Sequence, residues 1–449
     1  MYIIARDGSG DFTSVQAAVD AVPSGQRAPV ILLVRAGEYH ERVIIAKDNI
    51  RLIGEDRDST VITHSGYAKE LDENGEEKTT FLSYTMLVTG NNVEVENLTV
   101  RNDAGDGRVV GQAVAVYAAG DRGMWRNCRM IAHQDTLYCG PTMPRVQKDA
   151  VPHWIPGGVP KVGECPPFQP RQYFEDCYIQ GDVDFIFGPY RCWFERCELF
   201  MNERGGWYTA ANTPEWAPYG FVFHRCRLTG ACAEGEALLG RPWRAFARTV
   251  FLDCDMDEHV SPEGFADWDE ARLVTERYGE HGTRGARADQ STRHPRQKRL
   301  TDEEAALLTL AEVLSGYDQW HPEKRVPTWF LCGVATSWAK ALSVLAEDVY
   351  VQDALVVENT AITDRMSLIG LCIRPGDKLL VSAADPDASL VVETARRQGA
   401  MPVLVASAEE DIHAAIRDVA NSVDVRIIVL RQADASDGIA MAKDILAEL

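Results

Sequence analysis

The residues best suited to chemistry lie in two short strings, His133-Gln134-Asp135-Thr136-Leu137-Tyr138 and Gly181-Asp182-Val183-Asp184-Phe185-Ile186-Phe187-Gly188. Each sets a carboxylate in a rigid, largely apolar frame, where a charge is costly unless it is paired or used. Two such carboxylates can act as nucleophile and proton donor if their surroundings push their proton affinities apart. Ester hydrolysis needs those two groups and, in addition, donors for an oxyanion. Asp184 and Asp135 can supply the first two, and the side-chain amides of Gln112 and Gln134 the third. Arg241, in the triplet Arg241-Pro242-Trp243, can hold Asp184 through two parallel hydrogen bonds, keeping it ionised and aimed. Asp182 reads as a turn former or a substitute in an asparagine ladder. His133 reads as a packed or rim histidine, because nothing in the sequence fixes its tautomer.

The frame that must bring these residues together is repetitive. Trp125-Arg126-Asn127-Cys128-Arg129-Met130 is echoed by Phe174-Glu175-Asp176-Cys177-Tyr178-Ile179 and Phe194-Glu195-Arg196-Cys197-Glu198-Leu199. The pattern returns at Phe223–Leu228 and Phe251–Met256, with an earlier copy, Val95–Val100, carrying Leu98 in place of cysteine. Cysteines at 177, 197, 226 and 254 stand at solenoid-like intervals, with loops of varying length between coils. The economical fold is mainly β, a right-handed parallel β-helix whose cysteines stack inside it as small buried hydrophobes. The proline-rich stretch 141–170 lacks strand periodicity and is expected to rise as a loop over the site. A second weakly patterned segment, 277–299, is expected to wrap the outside before a helix capped by Thr301 and Glu304.

At 449 residues and 45% hydrophobic content the chain can fill more than one core. A net charge of −21 argues against a nucleic-acid partner, which wants a basic face. It leaves room for a polyanionic sugar, since local arginines outweigh distant acids within a Debye length. There is no apolar run long enough to span a membrane, and the opening residues do not read as a signal peptide. With eleven cysteines read as reduced thiols, the expectation is a soluble cytoplasmic protein, of oligomeric state the sequence does not specify. No Cys-x-x-Cys pair occurs and the histidines are scattered, so no metal or other cofactor is expected.

Over residues 1–322 these motifs, in order, resemble the pectin methylesterase family. Asp7-Gly8-Ser9-Gly10-Asp11-Phe12 with Gln16-Ala17-Ala18, Gly37-Glu38-Tyr39, Arg101-Asn102-Asp103-Ala104-Gly105, Gln112-Ala113-Val114-Ala115, Leu239-Gly240-Arg241-Pro242-Trp243 and Tyr317-Asp318-Gln319-Trp320 carry the likeness, together with the two Asp strings. The resemblance implies hydrolysis of C6 methyl esters of galacturonate, with methyl-esterified homogalacturonan or oligogalacturonides as the partner. It implies Asp184 as nucleophile and Asp135 as general acid and then base. Gln112 and Gln134 would form the oxyanion hole, Arg241 would orient Asp184, and Trp243, Tyr138 and Phe187 would contact sugar. His133 departs from the family, which usually has an aromatic residue there. A lyase on the same solenoid would want clustered acids for calcium, and a glycoside hydrolase carboxylates flanking the glycosidic bond. A pure binding protein would lack Asp184 or Arg241.

Beyond Pro322 the texture changes. Apolar runs at 378–383, 401–406 and 425–430 alternate with helical stretches at 388–398, 409–419 and 439–449, the pattern of a small parallel α/β unit. Residues 328–449 are similar to the SGNH hydrolases, a flavodoxin-like fold, with Thr328–Thr336 at the nucleophile turn. Ala335 occupies the serine position, and no histidine follows His413. The expectation is a degenerate, non-catalytic domain.

Overall fold

Each copy of the aromatic-x-x-Cys repeat marks a corner between two strands. In the computed structural model, Gly123–Arg126 turns at Asn127 and Cys128 into Arg129–Ile131, and Leu137–Cys139 completes the coil. The next coil is Arg171–Glu175, Tyr178–Gly181 and Ile186–Gly188, and the one after it Arg191–Glu195, Glu198–Met201 and Thr209–Ala211. The structure describes residues 2–25, 29–142, 169–268, 277–316 and 318–323. In the C-terminal part it describes 328–332, 351–357, 378–382, 388–397, 401–405 and 425–430. The interior of the proline-rich stretch, 143–168, and with it the expected loop over the site, lies outside the described residues.

Among the described residues the coils build parallel sheets of eleven, nine and six strands, one strand per coil in each. At the corners Asn97, Asn127, Asp176, Arg196, Arg225 and Asp253 adopt left-handed backbone, with φ between 47° and 59°. That conformation is tolerated by Asn and Asp and unfavourable for arginine. It persists because each of these N–H groups donates to a carbonyl of the next coil, as Arg196 N does to His224 O at 3.0 Å.

The residue after each corner points inward. Cys128, Cys177, Cys197, Cys226 and Cys254 are buried free thiols, and their Sγ atoms donate one coil back, Cys226 to Phe194 O at 3.4 Å for example. Beside this ladder runs a stack of rings: Phe174, Phe194, Phe223 and Phe251 follow one another at centroid spacings of 4.5, 4.4 and 4.6 Å. The coil spacing of about 4.8 Å imposed by the backbone ladder is close to the offset that ring stacking prefers.

Residues 277–299 do not simply wrap the outside. Arg277–His281 joins the eleven-stranded sheet as a further coil, Arg284–Gly285 continues that coil in the nine-stranded sheet, and Lys298–Arg299 stacks on Arg277–His281 as the last strand of the eleven. Burial drives the difference. Tyr278 stacks on Phe265 at 4.0 Å, and the fully buried Glu280 takes Arg293 (3.1 Å) and Gln297 (2.9 Å) as partners. The helix Asp302–Ala306 begins at the expected cap, Thr301 and Glu304 bonding each other's backbone. The motif ending at Trp320 is pinned by Arg171, whose buried guanidinium reaches Asp121 (2.8 Å) and Asp318 (2.5 Å) and lies against the Trp320 ring. Hydrogen bonds from Arg171, with desolvation opposing them and Arg122 helping, hold the Asp318 carboxyl far below the usual carboxylate range.

The chain divides into two compact units, one made of 2–25 and 32–322 and the other chiefly of 323–449. In the second unit Val351–Val357, Val425–Leu430, Thr328–Cys332, Lys378–Ser382 and Met401–Val405 lie in that order in one parallel sheet. Helix Ala388–Arg397 packs against the last two. Position 335 and the helical stretches 409–419 and 439–449 lie outside the described residues. Among the described residues no helix is long and apolar enough to cross a membrane.

The ring stack makes a direct prediction. Phe223→Ala removes a fully buried ring at its centre and is expected to lower unfolding stability by about 3–5 kcal/mol. Chemical denaturation of the two proteins checks this; a loss below about 1 kcal/mol would show that the stack is not a stabilising core.

Candidate active site

The six-stranded sheet positions the carboxylates. Asp135 and Asp184 each lie two residues before one of its strands, and those strands pair with Leu137 opposite Ile186 and Tyr138 opposite Phe187. Asp135 therefore stands one coil from Asp184, about 4.8 Å along the stack. The register is tied by Asp135 N donating to Val183 O (3.0 Å) and Leu137 N to Phe185 O (2.8 Å). Both aspartates have left-handed backbone, φ 66° and 53°, strain of the kind that active sites hold.

Their environments differ. Asp184 is 6% exposed, and Arg241 grips it with two parallel bonds, Nε to Oδ1 at 2.8 Å and Nη2 to Oδ2 at 2.6 Å. The guanidinium lies between the rings of Trp207 and Trp268, 3.8 and 4.2 Å from their centroids, contacts worth about 0.5–2 kcal/mol each. Gly240 permits this approach, because a Cβ there would meet Thr209 Oγ1 at 2.0 Å. Asp135 is 8% exposed, and its carboxyl has no hydrogen-bond partner among the described residues.

Electrostatics follows from that asymmetry. Burial, reinforced by the charge of Asp184, pushes Asp135 well above the usual carboxylate range, with Arg241 opposing. Burial also raises Asp184, but the hydrogen bonds and charge of Arg241 pull it back. Asp184 thus ionises at lower pH than Asp135.

Gln134 precedes Asp135, and Gln112 belongs to the preceding coil, where Ala113 N donates to Gln134 O at 3.1 Å. Both glutamine side chains are half-buried and, among the described residues, without a hydrogen-bond partner. Their amides are thus available as donors on the coils at and before Asp135. Trp243 is half-buried and meets Phe187 edge-on at 5.9 Å.

Tyr138 is not the open face expected of it. It is 1% exposed, at 4.7 Å from both Tyr117 and Phe187 and 5.1 Å from Phe81. Strand alternation turns it into an aromatic cluster with Tyr84, Tyr117 and Phe187. Phe187 is buried there too, so the pair floors the site beneath Trp243.

Asp182 does sit in a bend, its Oδ1 accepting from Val183 N at 2.8 Å, but its role goes beyond the turn. It is fully buried and bonded to His133 (Nδ1 to Oδ2, 3.1 Å), while His133 keeps a half-exposed ring. Trp207 and Trp268 were not anticipated. Trp207 was within reach of the pattern, standing two residues before Thr209–Ala211 as Asp184 stands before Ile186–Gly188. Trp268 carries no such signal.

A family model for pectinesterase matches residues 1–143 and 167–317. The chain belongs to the pectinesterase family. It is 30% identical over 341 residues to a probable pectinesterase/pectinesterase inhibitor of Arabidopsis thaliana, covering 72% of this chain and 54% of that protein. The chain thus spans about half the length of that relative. Among solved structures it resembles the pectin methylesterase from carrot (28% identity, TM-score 0.59, 70% of this chain and 93% of that one). It also resembles a pectin methylesterase in complex with a hexasaccharide (26% identity, TM-score 0.58, 72% and 98%).

The partnerless Asp135 sets a stability test for this pectinesterase-family chain. A carboxyl whose folded proton affinity exceeds its unfolded value, near pKa 3.9, stabilises the fold while protonated. That contribution is lost as pH rises through the folded value. Asp135→Asn, which never ionises, should therefore gain thermal stability relative to the parent as pH increases from about 5 to 9. Melting curves across that range test it; an offset independent of pH would contradict the protonated assignment.

Proposed function

We propose that this chain hydrolyses C6 methyl esters of galacturonate in pectin or pectic oligosaccharides, releasing methanol and leaving a carboxylate. The observation that carries this reading is the divided carboxylate pair. Asp184 is clamped by two hydrogen bonds from Arg241, and Asp135 lies one coil away with no hydrogen-bond partner for its carboxyl among the described residues. Membership of the pectinesterase family and the likeness to the hexasaccharide-bound pectin methylesterase support the substrate class.

In the first half-reaction an oxygen of Asp184 attacks the ester carbonyl carbon. The carbonyl oxygen takes up negative charge, facing the amide N–H groups of Gln112 and Gln134. The carbon–methoxy bond then breaks, Asp135 gives its proton to the departing methoxide, and methanol leaves. The galacturonyl group remains joined to Asp184 as an acid anhydride, and Asp135 is now ionised. In the second half Asp135 takes a proton from water, the hydroxide adds to the sugar-derived carbonyl, and Asp184 leaves as carboxylate. Asp135 ends protonated, as it began, and the galacturonic acid group gives its own proton to solvent, leaving the carboxylate. The reaction spends the difference in proton affinity that burial and Arg241 create. Trp243, above the Tyr138–Phe187 floor, is the flat surface for the sugar.

For 328–449 we infer a unit of SGNH-hydrolase-like α/β type with no esterase chemistry of its own. Ala335 holds the position of the nucleophilic serine, and alanine offers no lone pair to an ester.

Methanol release from highly methylated oligogalacturonides, beside intact pectin and an acetylated control, tests the proposal. Release from the methylated substrates is expected, with kcat/KM falling on the acid side as Asp184 takes a proton. It should fall on the alkaline side as Asp135 loses its own. Asp184→Asn should lower kcat by about a thousandfold or more while leaving the fold intact. Undiminished turnover in that variant, or release from the acetylated control alone, would overturn the assignment.

A further inference from the structure

Two residues before each aspartate of the reacting pair stands another ionisable residue, His133 before Asp135 and Asp182 before Asp184. The register that stacks the first pair stacks the second, and Asp182 N donates to His133 O at 2.9 Å. Both oxygens of Asp182 are occupied. Oδ1 accepts from Val183 N (2.8 Å) and lies 3.6 Å from Arg204 Nη1, and Oδ2 faces His133 Nδ1 (3.1 Å) and Asn202 Nδ2 (3.5 Å). The Asp182 side chain is shut off from solvent, whereas the His133 side chain is 40% exposed and can exchange protons with it. The couple therefore has one end in water and the other beside the reacting carboxylates.

We propose that His133 and Asp182 form a positioning couple that transmits the charge state of a solvent-facing imidazole to the buried Asp135. With His133 protonated, the couple is an ion pair with little net charge. Once His133 gives up its proton, Asp182 loses its nearest cation and keeps only the longer contact to Arg204, so more of its negative charge reaches Asp135, which then holds its own proton more firmly. Asp182 is one of the charges acting on Asp135, together with Asp184 and Arg241. The groups facing His133 are Asp182, Asp106 and Arg204, and Arg108 acts on Asp182 while pairing with Asp106. The hydrogen bond that His133 makes to the Asp182 carboxylate holds the imidazole above its ordinary range. The proton donor would so remain loaded as the medium turns less acidic. This consequence for catalysis rests on Asp135 acting as the acid; the charge coupling does not.

Titration of the full chain with carboxyl-labelled aspartate and labelled histidine, followed by NMR, separates the two. In Asp182→Asn the midpoints of Asp135 and His133 are both expected to fall, by about half a pH unit or more. His133→Lys, a fixed cation, should titrate Asp135 at lower pH than His133→Gln, which removes the cation nearest Asp182. The alkaline limb of kcat/KM for methanol release should move with Asp135 in every variant, a shift that simple loss of packing would not produce. An Asp135 midpoint unchanged across all three variants would overturn the proposal. If Asp182→Asn fails to fold, the Lys and Gln variants decide alone. If the parent releases no methanol, the hydrolase reading falls, yet the titrations still decide the coupling.

Discussion

Backbone hydrogen bonds running from each coil to the next place every residue of the site. Because the strands are parallel and in register, a residue two positions before one strand lies beside the residue two positions before the next. Asp135, Asp184 and Trp207 share that offset on successive coils, and His133 and Asp182 share the next one. The local turns are individually unfavourable, with aspartate and arginine in left-handed backbone. The ladder holds them there, since the N–H groups of Asp135 and of the corner residues have their acceptors on the neighbouring coil.

On this frame two chemically identical side chains become different reagents. Burial alone would keep both carboxyls protonated. Arg241, held against the rings of Trp207 and Trp268, opposes that tendency most strongly at Asp184, to which it is hydrogen-bonded. A lysine could neither make two parallel bonds nor lie between the rings in the same way. Beneath the pair, the cluster of Tyr84, Tyr117, Tyr138 and Phe187 excludes water and keeps the local dielectric low. The difference in proton affinity is thereby maintained.

Much of this was legible before any coordinates. The aromatic-x-x-Cys repeat marked the corners, because a small inward residue after a tight turn recurs only when the coil does. The carboxylates stood out through their apolar flanks, and Arg241 through its company. What escaped were properties of the surroundings. Tyr138 sits in a motif beside a catalytic candidate, yet strand alternation turns it to the core. Asp182 looks like any loop aspartate until a histidine from the coil before closes on it. Residues 277–299 are polar enough to suggest a surface wrap, but the buried Glu280–Arg293 pair satisfies that polarity within another coil.

The chain's own composition determined that a coil would form, since period, corner residues and inward small side chains are local in sequence. It also determined which groups could react, because a carboxylate is a carboxylate wherever it lies. Only the tertiary structure decided which carboxylate would be ionised and which kept neutral. Proton affinity depends on what stands within a few ångströms, and at this site the partner of Asp184 is Arg241, itself held by residues 207 and 268. Those distances are set by the stacking of coils, which no local pattern records.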